Sequence, residues 1–435
     1  MLPLEIGLSG LGVLLILIAV RAPIGVALII VSFGGIWALV GQSVAIAMVT
    51  TTPYNFSAHW ALSSVPMFLL MGYFCYHAGL TADLFKAARL WLTRLPGGLA
   101  VASVVGSAGF AAVSGSSLAT AAAMGKIAIP EMIRHRYHPE LAAGTVAAAG
   151  TIGALIPPSI IMILFGVFAE VPVSRLFLGG IIVGLLTAIG YSVVIIARVK
   201  LNPELAPDMP GLPTRSERMA AAKKTWPILL IILCVFGGMF SGFFSATEAG
   251  GVGAILSAVV AVCQGRLTWA SVRSSLMETI ITTASLFIIA IGAALLTRFM
   301  ALSGAGSYLS DLLLLAGSNV VVLMLIITLI YLVLGMFLEP MGAMLLTLPV
   351  MLPAIEASNL DLIWFGILLV KYLEIGMITP PIGMNIFVIK GVAGDLTSTT
   401  AIFRGIAWFL IADMVVVFLL ILFPDIVLFL PRLLN

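Results

Sequence analysis

Long apolar stretches follow one another along almost the whole chain, separated by short polar segments. A helix crossing the hydrocarbon core of a bilayer needs roughly 17–25 such residues. Inside a bilayer only helices and closed barrels satisfy their own backbone polar groups, and runs this long read as helices. With 62% hydrophobic and 9% charged residues, the chain departs from the roughly 45–50% apolar and about 25% charged make-up of soluble domains. A soluble fold of this length could not cover itself with so few ionic groups. The chain reads as an all-α polytopic membrane protein.

The expected spans of the first half are 4–20, 24–40, 62–79, 141–168 and 174–197. Those of the second half are 226–243, 247–263, 277–300, 362–389 and 405–430. Two stretches, 98–129 and 319–353, are too long and too interrupted for ordinary spans and read as re-entrant hairpins. Residues 81–94 set Lys86, Arg89 and Arg94 among apolar residues at helical spacing, the pattern of a helix lying along the interface. The first apolar run has no early Lys or Arg and no small-residue cleavage site after it, so it reads as a retained span.

Charge orients the spans. Basic residues cluster at Arg21, Lys86 to Arg94, Arg134 and Arg136, Arg198 to Lys224, Arg266 and Arg273, then Lys390 and Arg404. The opposite loops, expected at 41–61, 169–173, 303–318 and 354–361, hold no Lys or Arg. Positive loops face the cytoplasm, which puts both termini outside. The polar, Pro-rich segment 198–225 is then a cytoplasmic linker between the halves 1–197 and 226–435. A net charge of +3 gives no sign of nucleic-acid binding. Cys75, Cys234 and Cys263 are widely separated, and suggest neither a disulfide framework nor a metal cluster.

The halves resemble each other. A shift of 223 residues carries Gly153 onto Gly376, Pro157 and Pro158 onto Pro380 and Pro381, and Pro130 onto Pro353. It also lays Ser114-Gly115-Ser116-Ser117 over Phe337-Leu338-Glu339-Pro340. Five spans per half is an odd number, so the second half is expected to be inverted relative to the first. Inverted repeats with discontinuous helices are the signature of secondary transporters.

The chemistry sits at the interruptions. In Gly150–Ser159 two prolines without N–H groups free carbonyls one turn earlier. Those carbonyls, with the hydroxyls of Thr151 and Ser159, make an oxygen-rich patch within a span. Glu374–Asn385 repeats the arrangement with Thr379 and Asn385. Uncharged oxygens on unwound backbone suit a partly dehydrated Na⁺; a proline kink serving packing alone is the alternative. A helix beginning at Ser116 or Ser117 aims its positive end at the membrane midplane, where a carboxylate could be met, and Thr120 lies one turn along. The same small residues also favour close helix packing.

Ionisable residues inside spans are functional candidates by default. Lys371 and Glu374, three apart, are expected to pair or to form a site. Arg298 either snorkels or meets a substrate carboxylate. Glu248 reads as a solvated helix boundary, and nothing in the sequence explains Asp413. His135 and His138 share a loop with Glu131 but lack further metal ligands. No P-loop, dinucleotide fingerprint or HExxH motif occurs, so ATP use and hydrolysis are not indicated.

Ser114-Gly115-Ser116-Ser117-Leu118-Ala119-Thr120 and Gly153–Ser159 resemble the first-half motifs of the large permease subunit of TRAP (tripartite ATP-independent periplasmic) transporters. Leu338-Glu339-Pro340 with Pro349 and Pro353, and Thr379–Val388, are similar to the second-half motifs. The likeness spans essentially the whole chain from Arg21-Ala22-Pro23-Ile24-Gly25 onward.

The resemblance implies a prokaryotic inner-membrane importer of organic acids, commonly carboxylates, driven by a sodium gradient through an elevator motion. It also implies a periplasmic substrate-binding protein and a small four-helix membrane subunit, here expected as a separate chain. Sodium is implied between each hairpin tip and its facing Pro-Pro loop. That maps onto Ser114 and Gly115 with Thr151, Gly153 and Pro157. In the second half it maps onto Gly335, Glu339 and Gly342 with Gly376, Thr379 and Pro380. Ser116, Ser117, Thr120, Arg298 and Asn385 are the substrate candidates. The first tip and its facing loop contain no titratable side chain, which points to Na⁺ over H⁺; Glu339 and Glu374 keep proton coupling open in the second half. The rival reading is a self-sufficient carboxylate transporter or exchanger of similar architecture.

Overall fold

A computed structural model describes residues 2–207, 213–317 and 319–434, and its regular elements are helices. Among the described residues six helices are long and apolar enough to span a membrane, or eight if two bent pairs each count as one span. Spans 4–20, 24–40 and 174–197 appear as Pro3–Ala19, Ile24–Val40 and Val173–Leu201. The stretch 277–300 belongs to a longer helix, Trp269–Ser303. The stretch 405–430 divides at Pro424 into Thr399–Leu422 and Asp425–Leu433.

Three segments expected as loop or linker are helical instead. Residues 41–61 hold Gln42–Ser57 and the short turn Trp60–Ser63, which leads into Ser64–His77 across a 60° bend. Their apolar Ala, Ile and Met residues favour helix, and Pro53 is accommodated within it. Residues 303–318 hold Ala305–Ala316, set off from the preceding helix by Gly304 at φ 71°. In the linker 198–225 the preceding helix runs on to Leu201, residues 208–212 lie outside the described residues, and Arg215–Lys224 is helical. That last helix starts with a capping box. The Glu217 backbone N–H donates to Thr214 Oγ1 at 3.2 Å, and the Thr214 N–H donates to Glu217 Oε2 at 2.8 Å. The Thr214 N–H and the Thr214 hydroxyl, both donating to Oε2, hold the Glu217 carboxyl below the usual range. The interfacial segment is the helix Leu80–Leu92, packed against this linker helix. Asp83 ties it to the second half by accepting from Arg266 at 2.5 Å.

Both interrupted stretches are helical hairpins, and each runs a turn further than its sequence pattern. The first pairs Gly98–Ser114 with Ser117–Arg134, the second Val320–Phe337 with Pro340–Ala357. Both Pro-Pro spans are broken: Pro139–Gly150 and Ile160–Phe168 flank the first, Leu362–Gly376 and Met384–Ala393 the second. The 223-residue shift carries Ser117–Arg134 onto Pro340–Ala357 bound for bound, and the start of Pro139–Gly150 onto that of Leu362–Gly376. Both Pro-Pro bonds, Pro157-Pro158 and Pro380-Pro381, are cis.

The broken helices form the centre. Every residue from Leu141 to Gly150 and from Ile363 to Gly376 is buried. Pro139–Gly150 crosses Thr399–Leu422 where Gly144 meets Gly405; a Cβ at Gly144 would stand 2.7 Å from the Gly405 Cα. Small residues let backbones approach this closely. Outer helices turn side chains such as Leu233, Ile255 and Leu329 outward, as helices bathed in lipid do.

Candidate functional site

At the first hairpin tip four helix ends converge. In the first half Gly98–Ser114 and Pro139–Gly150 bring C-terminal carbonyls, while Ser117–Arg134 and Ile160–Phe168 begin with N-terminal amides. Ser116 caps the first of those N-termini by accepting from Ala119 N–H at 3.4 Å, and Ser159 caps the second from Met162 N–H at 3.4 Å. C-terminal ends favour cations and N-terminal ends anions.

The first tip lies directly on its broken helix. Gly115, at φ 64°, accepts from the Ile160 N–H at 3.4 Å, and a Cβ on it would collide with the Pro158 carbonyl. A Cβ on Gly153 would stand 2.7 Å from both the Ser116 carbonyl oxygen and Thr120 Oγ1. Ser114 and Thr120 share a hydroxyl hydrogen bond of 3.1 Å. Ser114, Gly115, Ser116, Thr120, Gly153 and Pro158 therefore lie together, and Pro157 is the residue before this contact. Thr151, two residues before Gly153, donates its hydroxyl to Ala148 O at 2.7 Å and also meets Tyr191 OH at 3.1 Å.

The second tip repeats the contact with other side chains. A Cβ on Gly335 would stand 2.9 Å from the Gly376 Cα, so hairpin and broken helix touch backbone to backbone. Glu339 caps Pro340–Ala357, accepting from Gly342 N–H at 3.1 Å. Thr379 Oγ1 donates to Ile375 O at 2.7 Å. Buried Asn385 donates to Ala147 O at 3.4 Å, and its Oδ1 has no hydrogen-bond partner. Asn385 thus joins the second break to the first broken helix. Pro157 and Pro158 are buried whereas Pro380 and Pro381 are exposed, so the second loop opens to the surface and the first does not.

A cavity of about 100 Å³ lies between the two tips, lined by Ser116 and Ser117 from the first and by Glu339, Glu374 and Met377 from the second. Thr282 and Leu286 of the long helix Trp269–Ser303 close it. Neither oxygen of the fully buried Glu374 carboxyl has a hydrogen-bond partner among the described residues; the Ser117 hydroxyl lines the same cavity. The expected Lys371–Glu374 pair does not form. Lys371 donates to Asp413 Oδ1 at 2.5 Å and to Thr187 Oγ1 at 3.1 Å, because the helix turns it toward Val173–Leu201 and Thr399–Leu422. Asp413, unexplained by sequence, is the counter-ion.

On the other side of the first tip lies a larger cavity, about 330 Å³, sharing Ser114 with it. Tyr73, Tyr76, His77, Lys126 and Glu278 line it. His77 Nε2 and Glu278 Oε1 are 3.1 Å apart. Lys126 donates to Tyr76 OH at 3.4 Å. Tyr73 and Thr282 share a 3.0 Å hydrogen bond, so one helix, Trp269–Ser303, borders both cavities. Neither Lys126 nor Tyr76 stands out in sequence; a Lys three turns inside a small-residue hairpin arm is the signal that could have found them.

Arg298 is not brought to these cavities. It is exposed and donates to Thr52 Oγ1 at 3.1 Å. Glu248 closes a capping box with Ser245 at an exposed helix start. His135 stands 3.4 Å from Glu131, which also accepts from Arg89. Among the described residues no group of three or more His, Cys, Asp or Glu is placed to hold a metal.

Residues 11–426 match the family described as Tripartite ATP-independent periplasmic transporter, DctM component. The C4-dicarboxylate TRAP transporter large permease protein DctM of Pseudomonas aeruginosa is 36% identical over 393 residues, covering 87% of this chain and 88% of its own. The sialic acid TRAP transporter large permease protein SiaM of Vibrio cholerae is 32% identical, covering 89% of this chain and 91% of its own. Among solved structures, the Alcanivorax borkumensis YdaH transporter superposes with a TM-score of 0.62 at 16% identity, covering 89% of this chain and 90% of its own. That likeness concerns the fold alone. With a family match over nearly its full length and relatives above 30% identity end to end, the chain belongs to the large permease (DctM) family of TRAP transporters.

Proposed function

We propose that this permease couples the inward gradient of Na⁺ to import of an organic acid across the bacterial inner membrane, by an elevator motion of the hairpins and broken helices. The two halves, 1–197 and 226–435, are inverted repeats joined by the linker 198–225. A separate small four-helix subunit and a periplasmic substrate-binding protein complete the transporter. Relatives named for C4-dicarboxylates, sialic acid and isethionate support an organic acid as cargo.

The observation that carries the reading is the repeated contact of a hairpin tip with a broken helix, Gly115 and Gly153 in one half, Gly335 and Gly376 in the other. Each contact gathers carbonyl and hydroxyl oxygens and two helix C-termini, a donor set suited to Na⁺, and the second adds the Glu339 carboxyl. Ser114, Thr151 and the carbonyls around Gly153 and Pro157 hold one ion. Glu339, Thr379 and the carbonyls around Gly335, Gly376 and Pro380, next to Gly342, hold the other. The orphaned Asn385 Oδ1 adds a buried acceptor between the halves. Ser116, Ser117 and Thr120 meet the substrate carboxylate at a helix N-terminus, and Lys126 receives it in the larger cavity, on the side the basic residues assign to the cytoplasm.

Thermal unfolding in detergent in Na⁺, K⁺ and choline at equal ionic strength tests this. A ligand of the folded state stabilises it by about 2.7 kcal/mol at a hundred times its dissociation constant. The expected outcome is a Na⁺-selective rise, reduced in Thr151→Ala and in Asn385→Ala. No Na⁺ preference, together with a pH response lost in Glu374→Gln, would replace sodium by proton coupling. Uptake without a binding protein would favour the self-sufficient carboxylate transporter.

A further inference from the structure

A buried polar chain links the two broken helices, running from Thr151 beside the first tip to Lys371 on the helix that leads to the second. Lys371, on the helix leading into the second break, donates to Asp413 Oδ1 at 2.5 Å. The Tyr191 hydroxyl lies 2.9 and 2.8 Å from the two oxygens of the same carboxylate. Tyr191 in turn meets Thr151, the first residue after the first broken helix, at 3.1 Å. Thr151 is 1% exposed, and Lys371, Asp413 and Tyr191 are fully buried.

The direction of these hydrogen bonds follows from the chemistry of the groups. An ionised carboxylate beside an ammonium only accepts. The single Tyr191 proton is therefore committed to Asp413, and its oxygen faces Thr151 as an acceptor. The Thr151 proton must then point to Tyr191 or to Ala148 O, 2.7 Å away. Its lone pairs are what remains for an ion at the first tip. Lys371 binds the same carboxylate five residues before Gly376, at the second tip.

We infer that Asp413, through Tyr191 on one side and Lys371 on the other, is a shared positioning residue for both cation sites and makes their occupation cooperative. This rests on the sodium reading above. It gives the Lys371–Asp413 pair a task beyond packing: denying Thr151 a donor from Tyr191, so that the Thr151 lone pairs stay free for the ion, and tying that arrangement to the second broken helix.

The test is Na⁺ titration of thermal stability, at constant ionic strength with choline, in wild type and two variants. Tyr191→Phe removes only the hydroxyl and keeps the ring packed edge-on against Phe409, 5.2 Å between centroids. Lys371→Met with Asp413→Asn removes the carboxylate while leaving no charge buried. Both variants should melt in choline close to wild type. Each should need about 3–10-fold more Na⁺ for half-maximal stabilisation, the worth of one hydrogen bond. Each should also follow a shallower, single-site curve. Variants that melt lower in every salt but keep the wild-type midpoint and steepness overturn the inference, as do variants that titrate like wild type. A wild type indifferent to Na⁺ rejects the sodium reading itself, which is a separate result.

Discussion

Lys371 reaches an acid 42 residues further along the chain rather than the one a turn away. Spacing on one helix made Glu374 the natural partner. What decides the matter is which neighbouring helix each side chain faces, and a sequence does not encode that locally. The same turn of helix leaves Glu374 at the cavity between the tips without a counter-ion. Removing one member of a buried ion pair strands the other and costs about 3–5 kcal/mol, whereas replacing both by apolar residues is often neutral. Lys371→Met alone should therefore lower thermal stability sharply, and Lys371→Met with Asp413→Leu should recover most of it. Equal melting of single and double variants would show that the pair does not act as a unit. The glycines and serines of the tips were legible for a different reason: each is required by a local turn or close approach, which shows as residue type at fixed spacing.

At the scale of elements, the hairpins and broken helices follow from the placement of proline and glycine, and their positions were readable to within a few residues. The helices at 42–57 and 305–316 were not, because each falls short of the roughly 17 apolar residues a span needs and lies between spans where a loop was expected. The contact between second hairpin and second broken helix depends on Gly335 and Gly376. Adding a methyl group to a packed contact typically costs about 1–3 kcal/mol. Gly376→Ala should reduce stability by that amount and remove part of the Na⁺ response. Gly251→Ala, in a helix with open space around the added carbon, should be neutral or stabilising by up to about 1 kcal/mol. Thermal melts of both variants with and without Na⁺ check the contrast; two equal shifts would mean that the Gly335–Gly376 contact does not matter.

For the whole molecule, charge and the 223-residue offset raised an expected orientation and plan, while the cavities, built from parts of both halves, were invisible until folded. The orientation is open to direct measurement through the three cysteines. Cys75 is buried, whereas Cys263 is exposed at a helix end close to Arg266. A membrane-impermeant maleimide should label Cys263 in inside-out vesicles and leave it unlabelled in intact spheroplasts. The reverse pattern would invert the topology.

The two hairpins share a helical outline but not an environment. In the first hairpin 14 of the 17 residues of Gly98–Ser114 are buried. In the second, only 6 of the 18 residues of Val320–Phe337 are. One arm is jacketed by its own protein and the other faces outward. On the elevator reading proposed above, a moving body so clothed would run on a protein bearing along one flank and, where lipid covers the other, a fluid one along it. Bilayer thickness and acyl-chain order would then act as a brake on one hairpin only, and the lipid would help to set the pace of the cycle.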